Sequence, residues 1–498
     1  MLNVTKFFIA DAKTSVNLKL LYYKILKELK FVLKFCLVYT YMKLLSYILL
    51  SASWSPSSWR TKNIVQIPTY PNTHSLERVE KNLKNFPPLV FAGECRNLQQ
   101  ELADAGDGKR FILTAGDCAE SFNDFSIQNV MNQYRIILQM TLILMYGINK
   151  PIVKIGRLAG QFAKPRSDLF ETQGDVTLNS YQGDIINSYK FSKISRRPNP
   201  YNMIKAYHQS CQTLNLLRAL SSGGYASIER IHNWNLDFVK DYEVNLKYKN
   251  LATSVQDCLN FLGSLDLKDE DVLKKAQIYT GHEGLLLPYE EALVRKDSTT
   301  SLYYDCSAHF LWVGERTRQL NGSHVEFFKG INNPIGIKIS GNCDSDELVQ
   351  LLNILNPDNK KGKITIITRM GSAIETKLPQ LIDKVKYANK NVVWVCDPMH
   401  GNTKKLQNGL KTRFMYDIKK ELEFFFKIHK SKGTVPAGIH LELTGSDVSE
   451  CVGSDFLLNE SKNMKENYKS LCDPRLNAAQ SLELAFWISD FYKNSLVR

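Results

Sequence analysis

Four residues of this chain could share one metal ion: Cys118, His400, Glu442 and Asp473. A thiolate, an imidazole and two carboxylates suit a borderline divalent ion such as Mn, Fe, Co or Zn better than Ca or Mg. A second set, Arg157, Lys164, Arg316, Lys338 and Arg369, is cationic. Such a group can hold phosphates and a carboxylate, the guanidinium forks in two-point contacts. Taken singly, each residue has a plainer reading. A cysteine at a strand end is more often a small buried hydrophobe, and a lone Arg, Lys, Asp or Glu is usually a surface charge or a cap. The case rests on co-location, because charged groups that end apolar strands are costly unless paired, metal-bound or ligand-bound.

The elements that must position these residues repeat one pattern from about residue 110. A short β-branched run is followed by a polar or glycine-bearing tip and then a helical stretch. The runs are FILT (111–114), IVKIG (152–156), AQIYT (276–280), HFLWVG (309–314), IGIKIS (335–340), ITIITR (364–369), VVWVCD (392–397) and GIHLEL (438–443). Near-continuous apolar strands alternating with helices predict a parallel sheet buried on both faces. Eight of them predict a (β/α)8 TIM barrel, with a doubly wound open sheet as the alternative. About 120 residues separate the second and third strands, which predicts a helical insertion at about 170–274. In a barrel the chemistry gathers at the C-terminal strand ends. Those ends carry Asp117 and Cys118, Arg157 and Lys164, His282 and Glu283, Glu315 and Arg316, Lys338, Arg369, Asp397 and His400, and Glu442. The loop before the last helix (478–493) adds Cys472, Asp473 and Arg475. His309 and His440 read as packing or supporting residues.

Composition narrows the function class. The 498 residues are 44% hydrophobic and 23% charged, which excludes a disordered or polytopic membrane chain. The formal net charge is +14, but residues 1–50 contribute +6 of it through eight lysines against Asp11 and Glu28. That segment is apolar, basic and free of arginine, and Lys34 and Lys43 interrupt its longest apolar run. It reads as an N-terminal extension (1–52) that targets a plastid or other organelle, with a dispensable extension on a cytoplasmic protein as the alternative. Any membrane contact is expected only there. Residues 53–498 read as the catalytic domain, with an N-terminal arm (53–108) leading into a barrel (109–498). No basic stripe with interleaved aromatics appears, so a nucleic-acid partner is not expected. The ten cysteines form no CxxC pair and read as mainly reduced thiols.

Several longer strings carry a family resemblance. PPLVFAGE, GDCAESF, GRLAGQFAKPRS, AYHQSCQTLNLLRAL, LYYDCSAHFLWVGERTRQL, ITRMG, CDPMHGNTKK, GIHLELTG and CDPRLNAAQSLELAF run from about residue 53 almost to the C-terminus. They resemble the class II (plant-type) family of 3-deoxy-D-arabino-heptulosonate 7-phosphate synthases, also called phospho-2-dehydro-3-deoxyheptonate aldolases. The resemblance implies condensation of phosphoenolpyruvate with erythrose 4-phosphate, the first step of the shikimate pathway, on a (β/α)8 barrel in a homo-oligomer. Matched motif by motif, it implies Cys118, His400, Glu442 and Asp473 as metal ligands. It implies Arg157, Glu315, Arg316, Lys338 and Arg369 as the phosphoenolpyruvate pocket, and Lys164, Pro165 and Ser167 as the erythrose 4-phosphate end. Glu315, Lys338 and a metal-bound water are alternatives for activating the attacking water, with Arg316 beside them.

Ala115, Gln182, Gly281 and Ser454 depart from the family pattern, and Gln182 stands where the family tends to have Arg. None is a ligand or a pocket cation. Cys118 is a ligand candidate and Cys472 adjoins another, Asp473, so a reversible disulfide that blocks metal binding is expected, with a spectator Cys472 as the alternative.

Overall fold

The computed structural model describes residues 54–222, 242–264, 277–407, 409–453 and 467–495. The expectations for residues 1–52 and for Ser454 lie outside them, as does part of the expected insertion.

Eight parallel strands close into a barrel. They are β1 (Phe111–Gly116), β2 (Ile152–Arg157), β3 (Tyr279–Glu283), β4 (Phe310–Val313), β5 (Ile335–Ile339), β6 (Ile364–Thr368), β7 (Val393–Cys396) and β8 (Pro436–Glu442). Each pairs with the next in sequence, and β8 returns to β1. Closure rules out the open-sheet alternative. Nearly every strand residue is buried, as near-continuous Ile, Val and Phe runs require when one face fills the barrel and the other meets helices.

The strand bounds differ from expectation by one to three residues, most at the third and eighth. The third begins at Tyr279 rather than 276, which puts His282 and Glu283 inside it, paired with Leu311 and Trp312, instead of on the following tip. The eighth begins earlier, at Pro436, a residue tolerated at a strand's first position because it has no N–H to give the ladder.

The helices fit their sequences. Ser126 caps the helix Ile127–Ile148 by accepting from Asn129 N–H. Gly433, at φ +60°, ends the helix Met415–Lys432 in the left-handed conformation that glycine adopts without cost. The last helix, Ala478–Ser495, packs on Ile127–Ile148, where Ser489 Oγ donates to Ile143 O at 3.1 Å. The helix Ala92–Gly106 sends Leu98, Leu102 and Ala105 into one cluster with Ile112, Val153, Val393 and Ala437. Those four sit at or next to the starts of β1, β2, β7 and β8, so this helix plugs the N-terminal end and leaves the C-terminal end for chemistry.

Between β2 and β3 lie a hairpin (Phe170–Gln173 with Val176–Asn179) and two long helices, Tyr201–Ser222 and Tyr242–Ser264.

Candidate active site

Register explains how the innermost pair of side chains meets. Gly116, at the end of β1, is level with Arg157 on β2 and with Glu442 on β8. Residues level across a parallel sheet point to one face, so Arg157 and Glu442 face each other across a position without a side chain. Arg157 Nη2 donates to Glu442 Oε1 at 3.0 Å. A Cβ on Gly116 would stand 2.6 Å from Arg157 O, so no larger residue fits there.

The Asp473 loop is laid alongside the end of β8. Leu476 N–H donates to Glu442 O at 3.0 Å, and Thr444 N–H donates to Leu476 O at 2.9 Å. Arg475 then ties the loop to β1 through Asp117 Oδ1 at 2.6 Å, with Glu450 holding its other side. Cys118, Glu442 and Asp473 thereby offer ligand atoms that all lie within 4.8 Å of one another. His400 stands beside this set and is not within the same 4.8 Å of all three; its Nε2 is 3.0 Å from Glu442 Oε1. On its other side Nδ1 meets Asp397 Oδ2 at 2.7 Å. A carboxylate on Nδ1 fixes the ring so that Nε2 is the free coordinating nitrogen.

Charge around the cluster is strongly organised. Burial alone would raise the Glu442 carboxyl, but His400, Lys164 and Arg413 hold it well below the usual carboxylate range. Asp473 is likewise lowered against burial, chiefly by Lys164. Burial lowers His400, against the pull of Asp397 and Glu442, which favours the neutral imidazole that a metal needs. Burial pushes the Cys118 thiol well up, so its thiolate requires a cation, which a coordinated metal would supply. One thiol, an oriented imidazole and two ionised carboxylates fit a borderline divalent ion.

A cavity of about 510 Å³ opens from this cluster. Lys164, Pro165, Ser167, Glu315, Arg316, Lys338 and Arg369 line it, together with His400 and Asp473. Lys338 rests on Asp397 at 2.8 Å; burial makes its ammonium easier to deprotonate, which Asp397 opposes. Arg316 Nη2 donates to Ser167 Oγ at 2.6 Å across the mouth. Arg369 donates through Nη2 to His400 O at 3.3 Å, while its Nε is buried with no hydrogen-bond partner among the described residues, a donor available to an anion. Glu315 is a brace: it accepts from Ser340 N–H and Oγ and is clasped by Arg318.

Arg157 does not line the cavity. It is 1% exposed and stands behind Glu442, with Trp312 beneath its guanidinium. Gln182 does not line it either; its carbonyl takes the Lys164 N–H at 2.9 Å and so anchors the segment 164–167.

Two residues that sequence reasoning did not name, Arg413 and Lys411, belong to the site, and Glu283, named at a strand end, joins them. Arg413 Nη1 donates to Glu442 Oε2 at 2.7 Å, and Lys411 Nζ donates to Asp473 Oδ1 at 2.8 Å. Glu283 is among the residues lining the cavity, and its buried Oε1 has no hydrogen-bond partner among the described residues. Glu283 was named from its place at a strand end, without a role; nothing in the spacing marks Arg413.

Residues 54–489 match the model of the class-II DAHP synthetase family. The chain is 44% identical to a phospho-2-dehydro-3-deoxyheptonate aldolase of Streptomyces coelicolor over 449 residues, covering 89% of this chain and 99% of that protein. It is 42% identical to the protein of the same name from Neurospora crassa over 458 residues, covering 88% of this chain and 94% of the relative. This chain belongs to the class-II DAHP synthetase family.

Proposed function

We propose that this chain condenses phosphoenolpyruvate with D-erythrose 4-phosphate and water, giving 3-deoxy-D-arabino-heptulosonate 7-phosphate and phosphate at the entry to the shikimate pathway. Family membership supports the activity, and the observation that carries the substrate reading is the meeting of a cation-lined cavity with the Cys118, His400, Glu442 and Asp473 cluster. A divalent ion held there, manganese first with Co, Fe or Zn as alternatives, would act as a Lewis acid on the aldehyde oxygen.

The chain's own residues do the rest. Lys338 and Arg369, deepest beside His400, take the phosphate and carboxylate of phosphoenolpyruvate, and the free Arg369 Nε is one donor for them. Arg316, Ser167 and Lys411, nearer the mouth, hold the phosphate of the aldose, with Pro165 as wall. Two phosphates clamped at opposite ends bring the enol carbon and the aldehyde carbon together, and fixed orientation removes much of the entropic barrier. The attacking atom is the methylene carbon of the enol. Once its bond to the aldehyde carbon forms, the neighbouring carbon, which carries the phosphate oxygen and the carboxylate, is electron-poor, water adds to it and phosphate leaves. In this reading Glu283, which lines the cavity, takes the proton of that water, and Lys338 gives one to the departing phosphate. Arg157 and Glu315 act from behind, one on Glu442 and the other on the loop after β5.

Homo-oligomeric assembly and organelle targeting by residues 1–50 belong to the same reading; sedimentation and the location of a fluorescent fusion test them. The reaction itself is tested by phosphate release from phosphoenolpyruvate with and without erythrose 4-phosphate. Release that needs the aldose supports the reading; equal release without it overturns it.

A further inference from the structure

Lys164 lines the cavity, yet its ammonium is lodged among the candidate metal ligands. Its Nζ is 2.9 Å from Cys118 Sγ, 2.9 Å from Glu442 Oε1, 3.2 Å from Asp473 Oδ2 and 3.3 Å from His400 Nε2. One atom from each of the four ligands therefore points at a single nitrogen. An ammonium has three N–H donors, so hydrogen bonding does not explain a fourfold shell; what gathers these groups is a positive charge at their centre. The other nearby cations approach from outside the shell. Arg157 and Arg413 reach Glu442, and Lys411 reaches Asp473 Oδ1 rather than the Oδ2 that faces Lys164.

We propose that Lys164 is a tethered competitor for the metal: its ammonium and a divalent ion exchange for one position, and metal binding sends Lys164 into the substrate cavity. The proposal rests on the ligand assignment above. An ion bonded to the same four atoms at about 2.0–2.3 Å takes the space of that nitrogen, and two cations do not share it. The tether allows the exchange. The Lys164 backbone is pinned by its N–H to Gln182 O at 2.9 Å, while four flexible methylenes carry the charge. Lys164, Pro165 and Ser167 all line the cavity, so a displaced ammonium moves toward the end that Arg316 and Ser167 mark for the aldose phosphate. Two consequences follow. Without an ion, the lysine neutralises buried acids that would otherwise repel each other, at the cost of metal affinity. With an ion, the aldose end gains a cation, so metal binding precedes tight binding of the aldose.

Cobalt(II) is the probe, read by the sulfur-to-cobalt absorption of a Cys118 ligand in chelator-treated full-length protein. Lys164→Met is expected to bind cobalt about tenfold or more tightly than the wild type, because no fraction of its sites is held closed. Equal or weaker binding overturns the proposal. An ammonium that stays in place would also repel the ion, so a second measurement uses the wild type alone and does not depend on the variant folding. Reductive methylation of Lys164, followed by mass spectrometry, is expected to run about tenfold faster with cobalt than without, as the released population reacts. The same rate in both overturns the exchange. A wild-type cobalt spectrum that is unchanged by Cys118→Ala overturns the ligand assignment instead, which separates the two failures.

Discussion

Arg157 Nη2 donates to Glu442 Oε1 at 3.0 Å with both side chains sealed from solvent. A cation expected for the substrate and a carboxylate expected for the metal are thus partners in one network, set level by the register of β1 with its two neighbours.

That pairing has a measurable strength. Arg157→Met leaves a buried carboxylate short of one partner, and removing one member of a buried ion pair costs about 3–5 kcal/mol. The low end is expected, because Lys164 and Arg413 remain on Glu442. In urea denaturation, Arg157→Met combined with Glu442→Gln should lose less stability than the two single variants together, by about 1 kcal/mol or more. Simple additivity would show that the two residues do not act as a pair.

Asp397 acts through His400. Its carboxylate accepts from His400 Nδ1 at 2.7 Å and from Lys338 Nζ at 2.8 Å. Asp397→Asn should lower metal affinity about 10–100-fold, as loss of such supporting carboxylates does elsewhere. Cobalt titration of the purified variant measures this, and an unchanged affinity would mean that His400 is not a ligand.

How much of this was legible beforehand differs by residue. The barrel was legible because buried parallel strands need continuous apolar runs, and the four ligand candidates because each lies at a strand end or beside the final helix. Asp397 is three residues before His400, a spacing visible in CDPMHGN. Arg413 was not legible: it reaches Glu442 from 29 positions away, between a short hairpin and a helix, and no periodicity marks it. Arg157 was legible as a site residue but not as one that faces away from the cavity, since that depends on Gly116 leaving the gap it fills. The third strand's bounds were misplaced by about three residues, because the apolar run before Tyr279 reads as strand although pairing begins later.

The two thiols near the cluster lend themselves to an oxidation test. Cys118 and Cys472 are buried in one cluster with Tyr181, and a hydrogen bond to Cys118, partly offset by burial, lowers the Cys472 thiol. Hydrogen peroxide, accepting two electrons and releasing two waters, should join them in chelator-treated protein, and bound metal should protect them. Peptide mass spectrometry reads the bond; if no Cys118–Cys472 peptide forms, Cys472 is a bystander.

Acid sensitivity has a defined source in two buried histidines. Burial lowers His324 to about 4 and His429 to about 3. The unfolded chain takes these protons below about pH 6.5 while the fold refuses them, so each histidine removes up to about 1.4 kcal/mol of stability per pH unit. The window runs down to the folded values. Burial raises Glu120 to about 7 and Glu421 to about 8, which has the opposite sign, so the readout is a contrast between proteins. Between pH 6.5 and 4.5 the stability of His324→Gln/His429→Gln should fall less steeply than that of the wild type. Parallel curves would contradict this.

The central claim is that one cation-lined cavity and one four-ligand cluster work as a single site. The most direct test follows the enol absorbance of phosphoenolpyruvate in the presence of erythrose 4-phosphate, first with chelator-treated protein and then after Mn or Co is returned. The account predicts no decay until metal is restored, and no recovery in Cys118→Ala. Decay in the chelated protein at the rate of the reloaded one would contradict it.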